Sequence, residues 1–466
     1  MGMFDKIKDT LTKQTHIAPL AVFRIVFGAI MLFSTLRFMA NGWVHDLYVE
    51  PQYFFTYYGF EWIKPLSEMG MYFLFSLLAV SFLLQAIGLF YKWSSAFSFL
   101  AFTYIELIDK TNYLNHYYFV SIVLFLLIFV PANRYFSVDV TRKPNLKITH
   151  LPYYYILIFK LQLAIVYFYA GLAKLNADWL FNAMPLKMWL PAKADLPLIG
   201  SLLAKKWVAY TFSWFGAIYD LSIAFLLFNR RTVGIAYFLV VVFHLLTWLL
   251  FPIGVFPFVM IGATLVFFPK QFHLRLIHFF SSLQFNYSPT NSTDKPKEFA
   301  QSELNQNGLN QNKLTSNLKL TFFLIFLLIQ LLVPFRYALY PDNLYWTEEG
   351  YRFSWRVMLM EKAGYAIFHI TDPETNRTWE INNYDYLTPN QEKMMSTQAD
   401  MILQFAHYIE NELKTEGIKA PIITAEVYAT LNGNPSQLLI DPTVDLTKLK
   451  EGFAHKKWIL PFTSAQ

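Results

Sequence analysis

Apolar runs dominate the first 340 residues, falling near 18–38, 71–90, 93–108, 117–131, 151–172, 207–228, 232–251, 253–268 and 320–340. Each is about as long as a helix needs to cross the hydrocarbon core of a bilayer, roughly 17 to 25 residues, with the shortest at the margin. The pattern predicts a polytopic α-helical membrane protein of about eight or nine spans. The first run is preceded by Lys6, Lys8 and Lys13 and interrupted by Arg24, and no small-residue cleavage site stands where a signal peptide would carry one, so it reads as a retained span.

Beyond Leu339 the texture changes to short apolar segments separated by turn formers. Tyr351 to Leu359, Tyr365 to Ile370 and Thr378 to Ile381 read as strands, the last two separated by Asp372-Pro373-Glu374-Thr375-Asn376. A helix from Pro389 toward Lys414 places Met401, Phe405, Ile409 and Leu413 on one face. A hairpin of Ile422 to Leu431 and Gln437 to Ile440 turns at Asn432-Gly433-Asn434-Pro435. The expected organisation is a multi-span membrane domain over 1–285, a flexible cytoplasmic linker over 286–319, a last span over 320–340 and an extramembrane α+β domain over 341–466. The linker is inferred from its wealth of Asn, Gln, Ser and Lys.

Composition sharpens this picture. Aromatic residues make up 19% of the chain and charged residues only 15%, against about 25% charged in soluble proteins, which excludes a soluble enzyme and a largely disordered chain. Cysteine is absent, which excludes disulfide scaffolds, thiolate metal centres and cysteine nucleophiles. The net charge of +6 divides into +12 for residues 1–340 and −6 for 341–466. The basic surplus lies in short loops between apolar runs, so it reads as membrane topology and not as a nucleic-acid footprint. With the N-terminus cytoplasmic, nine spans put sixteen Lys and Arg on the cytoplasmic side and seven on the other before the C-terminal region, which places 341–466 outside the cytoplasm.

No phosphate-binding loop, HExxH, GxSxG or dinucleotide fingerprint occurs, and His273 and His278 do not share a helix face, so no metal is expected. Candidate chemistry therefore rests on ionisable residues at span ends. His116 follows Asn115 between the third and fourth spans, Lys174 ends the fifth, and His244 lies toward the outer end of the seventh, all at one membrane face. Intramembrane ionisable groups are functional candidates by default. Each also has a plainer role open to it: Lys174 can snorkel to the headgroups, His116 can cap a loop, and His244 can satisfy a backbone carbonyl.

Phe23-Arg24, Asp109-Lys110-Thr111 with Asn115-His116, Asn133-Arg134-Tyr135 with Ser137-Val138-Asp139, Ala170-Gly171 with Lys174-Leu175, Ala177-Asp178-Trp179 and Phe243-His244 recur in one order in a known family, as do Gly350-Tyr351, Ser354-Trp355 and Asp441-Pro442 with Val444-Asp445. Over roughly residues 20–450 the chain resembles the vitamin K-dependent gamma-glutamyl carboxylases and their bacterial relatives with the HTTM membrane module. The resemblance implies oxygenation of reduced vitamin K, or of a bacterial quinol such as menaquinol, with O2 and CO2 as co-substrates and a glutamate-containing peptide or protein as acceptor. It implies Lys174 as the group that deprotonates the quinol, for which an apolar setting favours the required neutral amine. His116 would help generate the glutamyl carbanion, with Asn115 and His244 lining the site and supporting oxyanions.

Trp355, Lys362 and Lys187 are weaker substrate-binding candidates by the same resemblance. Met360 stands where animal members have His, and Thr443 where they have Arg; the disulfide joining the two regions and the long C-terminal extension of animal members are also lacking. A quinol-oxygenating relative without protein carboxylation and a non-enzymatic membrane binding protein remain as alternatives.

Overall fold

The computed structural model describes residues 2–283 and 306–464. All nine apolar runs are helical, and among the described residues six helices are long and apolar enough to cross a membrane: Ala18–Ala40, Glu68–Ile87, Tyr154–Ala173, Lys206–Phe228, Val233–Leu250 and Asn317–Leu339. Tyr91–Ile108 and the shorter Asn115–Phe129 and Phe256–Phe267 complete the bundle. Phe33, Phe73, Phe225 and Phe238 on outward faces are about two-thirds exposed, a surface suited to lipid. Of the linker expected over 286–319, residues 286–305 lie outside the described residues, whereas 306–319 begin the helix Gln306–Leu332.

Local chemistry sets the element ends. Ser67 accepts the Gly70 amide at the start of Glu68–Ile87, and Gly88 closes that helix in a left-handed conformation. A Cβ at Gly88 would lie 1.7 Å from Arg24 Nη1, so this position requires glycine twice over. Arg24, fully buried, donates to the Phe136 carbonyl at 2.6 Å and ties the first long helix to the loop after Asn115–Phe129. At that same face the strands β1 (Gln14–His16) and β2 (His150–Pro152) pair antiparallel.

The C-terminal region is an antiparallel sheet in the order β4-β3-β5-β6, built from β3 (Lys362–Thr371), β4 (Thr378–Ile381), β5 (Ile422–Leu431) and β6 (Gln437–Leu438). The expected long helix is two, Pro389–Met395 and Ala399–Thr415, the first held by a capping box between Thr388 and Gln391. Met401, Phe405, Ile409 and Leu413 are all buried against Phe368, Ile370, Ala425 and Val427 in one core.

Tyr351 to Leu359 is not the expected strand. Phe353, Trp355 and Met358 have φ of +62°, +59° and +56°, which no strand accommodates, and the backbone bonds to the bundle instead: Tyr113 Oη accepts from Phe353 N at 2.7 Å, and Asn115 Nδ2 donates to the Arg356 carbonyl at 2.7 Å.

The two regions interpenetrate. Trp355 packs in the membrane core, stacked on Tyr118, while Phe55, from the stretch before the second long helix, is buried in the core beneath the sheet. Around them run buried polar links: Lys110 to Asp400 at 3.0 Å and Glu451 at 3.5 Å, Gln391 to Asp109 at 2.8 Å, and Gln404 to the Thr56 carbonyl at 2.9 Å. The C-terminal region therefore sits on the bundle face formed by the connections after Ala18–Ala40, Tyr91–Ile108 and Tyr154–Ala173.

Candidate active site

Lys174 follows the last helical residue of Tyr154–Ala173 and turns back along that helix. Its Nζ donates to Asp220 Oδ2 at 2.7 Å and to the Ala170 carbonyl at 3.3 Å, and lies 5.3 Å from the centre of the Trp179 ring. Asp220 projects from the middle of Lys206–Phe228, where no acid is tolerated without a partner. Gly171 brings the two helices together: a Cβ there would lie 2.8 Å from the Leu221 backbone nitrogen, so a larger residue would separate Lys174 from Asp220.

The pair opens on an apolar cavity of about 100 Å³ whose wall includes Tyr167, Lys174, Trp179, Asp220, His244 and Phe256, with Val357 and Met358 from the irregular segment. Lys174, Asp220 and His244 are each less than a tenth exposed. His244 Nε2 pairs with Tyr167 Oη at 3.1 Å, whereas Nδ1 is buried without a partner among the described residues. That orphan nitrogen, on a residue of the same cavity wall as the buried pair, is open to a hydrogen bond from a ligand.

His116 approaches the site from the other side of Phe256, its ring 5.4 Å from that ring, which lies 5.7 Å from His244. It flanks the cavity without lining it. Asn115 is occupied by Tyr113 Oη and the Arg356 carbonyl, and so holds the irregular segment in place.

Both regions match family models. Residues 12–272 match the HTTM domain model, and residues 315–465 match the lumenal domain of vitamin K-dependent gamma-carboxylase. The chain belongs to the vitamin K-dependent gamma-glutamyl carboxylase family. No solved structure matches it. Membership makes the protein a membrane protein of carboxylase type, and the order of the two matches is that of bundle and sheet-containing region in the fold.

Three weaker candidates of this carboxylase-family chain fall away from the cavity wall. Lys362 Nζ spends its three protons on the Trp346 carbonyl (2.6 Å), the Thr397 carbonyl (2.6 Å) and Glu348 (3.1 Å), and burial pushes its pKa below the ordinary lysine value. It braces the sheet domain. Lys187 bonds Tyr210 Oη at 2.7 Å and lies over that ring. Trp355 is packed, with its Nε1 buried and unpartnered among the described residues.

Asp220, on the cavity wall, is not singled out by the sequence reading. A lone acid inside an otherwise apolar run is the signal that points to it.

Proposed function

We propose that this protein is a membrane carboxylase that couples oxygenation of a quinol, reduced vitamin K or menaquinol, to carboxylation of peptidyl glutamate. The observation that carries the reading is the buried Lys174–Asp220 pair on an apolar cavity with His244, in a chain whose two halves both match carboxylase-family domains. The balanced reaction takes quinol, O2, CO2 and a glutamyl side chain to quinone epoxide, water and γ-carboxyglutamate.

The chemistry the quinol supplies with O2 is a base stronger than any side chain, which a γ carbon–hydrogen bond beside a carboxylate requires. The residues of the chain handle the weaker proton. Lys174 passes its extra proton to Asp220, and the resulting amine takes the proton of the quinol hydroxyl. His244 Nδ1 is free to orient that hydroxyl, and its bond to Tyr167 holds the ring. Phe243, Phe251, Phe256 and Met260 keep the cavity dry, so a strong base formed there is not quenched by water. His116, behind Phe256, faces the acceptor side. The sheet domain covers this mouth on the non-cytoplasmic side and presents the peptide.

Purified protein given quinol, O2, labelled bicarbonate and a glutamate peptide should fix label into the peptide only when quinol is present. Quinol turnover without fixation would leave a quinol oxygenase, and absence of both would leave a binding protein.

A further inference from the structure

We infer that Arg356 is the anchor for the γ-carboxylate of the acceptor, which rests on the reading of this site as one that takes peptidyl glutamate. Arg356 is only 8% exposed, yet no carboxylate of the described residues lies within ion-pairing distance of it. Of the nearby cations, Lys110, Lys174, Arg352 and Lys362 each have a carboxylate at 2.7 to 3.1 Å, while Arg336 donates to the Arg352 carbonyl at 2.7 Å. The Arg356 guanidinium instead donates one bond to Tyr345 Oη at 3.2 Å and lies against the Tyr337 and Tyr345 rings, while its Nε is buried without a partner among the described residues. A buried cation left without a carboxylate is costly unless an anion arrives, and two aromatic faces compensate only part of the lost hydration.

Its position fits one anion in particular. The Arg356 carbonyl is held by Asn115, next to His116. On the other side, Tyr345 Oη, which accepts from Arg356, donates to the Ala173 carbonyl at 3.2 Å and accepts from Asn176 at 3.4 Å, two residues flanking Lys174. The next two residues, Val357 and Met358, line the cavity. Arg356 is thus tied through its backbone carbonyl to the segment that carries His116, and through Tyr345 to the segment that carries Lys174. A guanidinium here would bind the carboxylate through its planar fork and stabilise the second negative charge that develops when the adjacent carbon loses its proton.

The test is direct binding of a fluorescent glutamate peptide and its glutamine twin to the full-length detergent-purified protein. The wild type should prefer the glutamate peptide, and Arg356→Gln should lose that preference with a fall in glutamate affinity of roughly 30-fold or more, the usual scale for removing one partner of a buried charge pair. If Arg356→Gln does not fold, judged by melting and size-exclusion profiles, Arg356→Lys decides. It keeps the charge but loses the fork, so glutamate affinity should fall about 10-fold while glutamine affinity stays unchanged. A folded variant that keeps the wild-type preference, or a wild type with no preference, overturns the inference. Carboxylation is judged separately by bicarbonate fixation: glutamate preference without fixation keeps the anchor and sinks the carboxylase reading.

Discussion

At 2.7 Å from Asp220, Lys174 can act as a base only after its extra proton has moved to that carboxylate. Asp220→Asn removes the carboxylate that takes this proton and holds the Lys174 amine at the cavity, so it should lower quinol turnover by roughly 10²- to 10⁴-fold, as Lys174→Ala should. Lys174→Arg retains the charge but has no realistic capacity to lose a proton, and should be equally inactive. Quinol turnover measured beside quinol binding checks both; a folded Arg variant with near-normal turnover would make Lys174 an electrostatic anchor. The place of Lys174 and His244 on one cavity wall was legible because a polar group stands out in an apolar run; His116, read the same way, flanks that wall. Their partners were not, since the pairing of Lys174 with Asp220 depends on how two helices pack.

Helix packing at Gly171 and the polar seam around Asp400 carry the next level of the account. Gly171→Val should push Tyr154–Ala173 away from Lys206–Phe228, lowering both quinol turnover and the melting temperature; unchanged turnover would show that the close approach is not needed. Burial of Asp400 would by itself raise its pKa, but the charges of Arg352 and Lys110 overcome this and hold it well below the ordinary carboxylate range. A depressed folded-state pKa stabilises the protein above the unfolded value, and that stability is lost as pH falls toward the folded value. Melting temperature should therefore decline below about pH 4, the ordinary carboxylate range. Lys110→Met should lower stability by roughly 2 to 4 kcal/mol at neutral pH and flatten this acid dependence, which melting across pH reads directly.

The elements themselves were largely readable: helix and strand periodicities are local, and Met401, Phe405, Ile409 and Leu413 face the core as their spacing requires. Tyr351 to Leu359 was misread because alternating aromatic and polar residues suggest a strand, while its actual conformation is imposed by Tyr113 and Asn115 more than 200 residues away in sequence.

For the molecule as a whole, the exchange of Phe55 and Trp355 between the two cores makes bundle and sheet domain one folding unit, a relation no local pattern reveals. Chains lacking 341–466 should consequently show a lower extraction yield and melting temperature than the full chain; an equally stable bundle would contradict that coupling. With nine spans, the sixteen-to-seven distribution of basic residues predicts that the shared face lies outside the cytoplasm. A C-terminal phosphatase fusion should be active there, and an inactive fusion paired with an active cytoplasmic reporter would reverse the orientation. The most direct test of the central claim is quinol-dependent fixation of labelled bicarbonate into a glutamate peptide by purified wild type and Lys174→Arg side by side. The account predicts label in the peptide for the wild type and its loss in the variant, whereas no fixation by the wild type, or equal fixation by both, would contradict it.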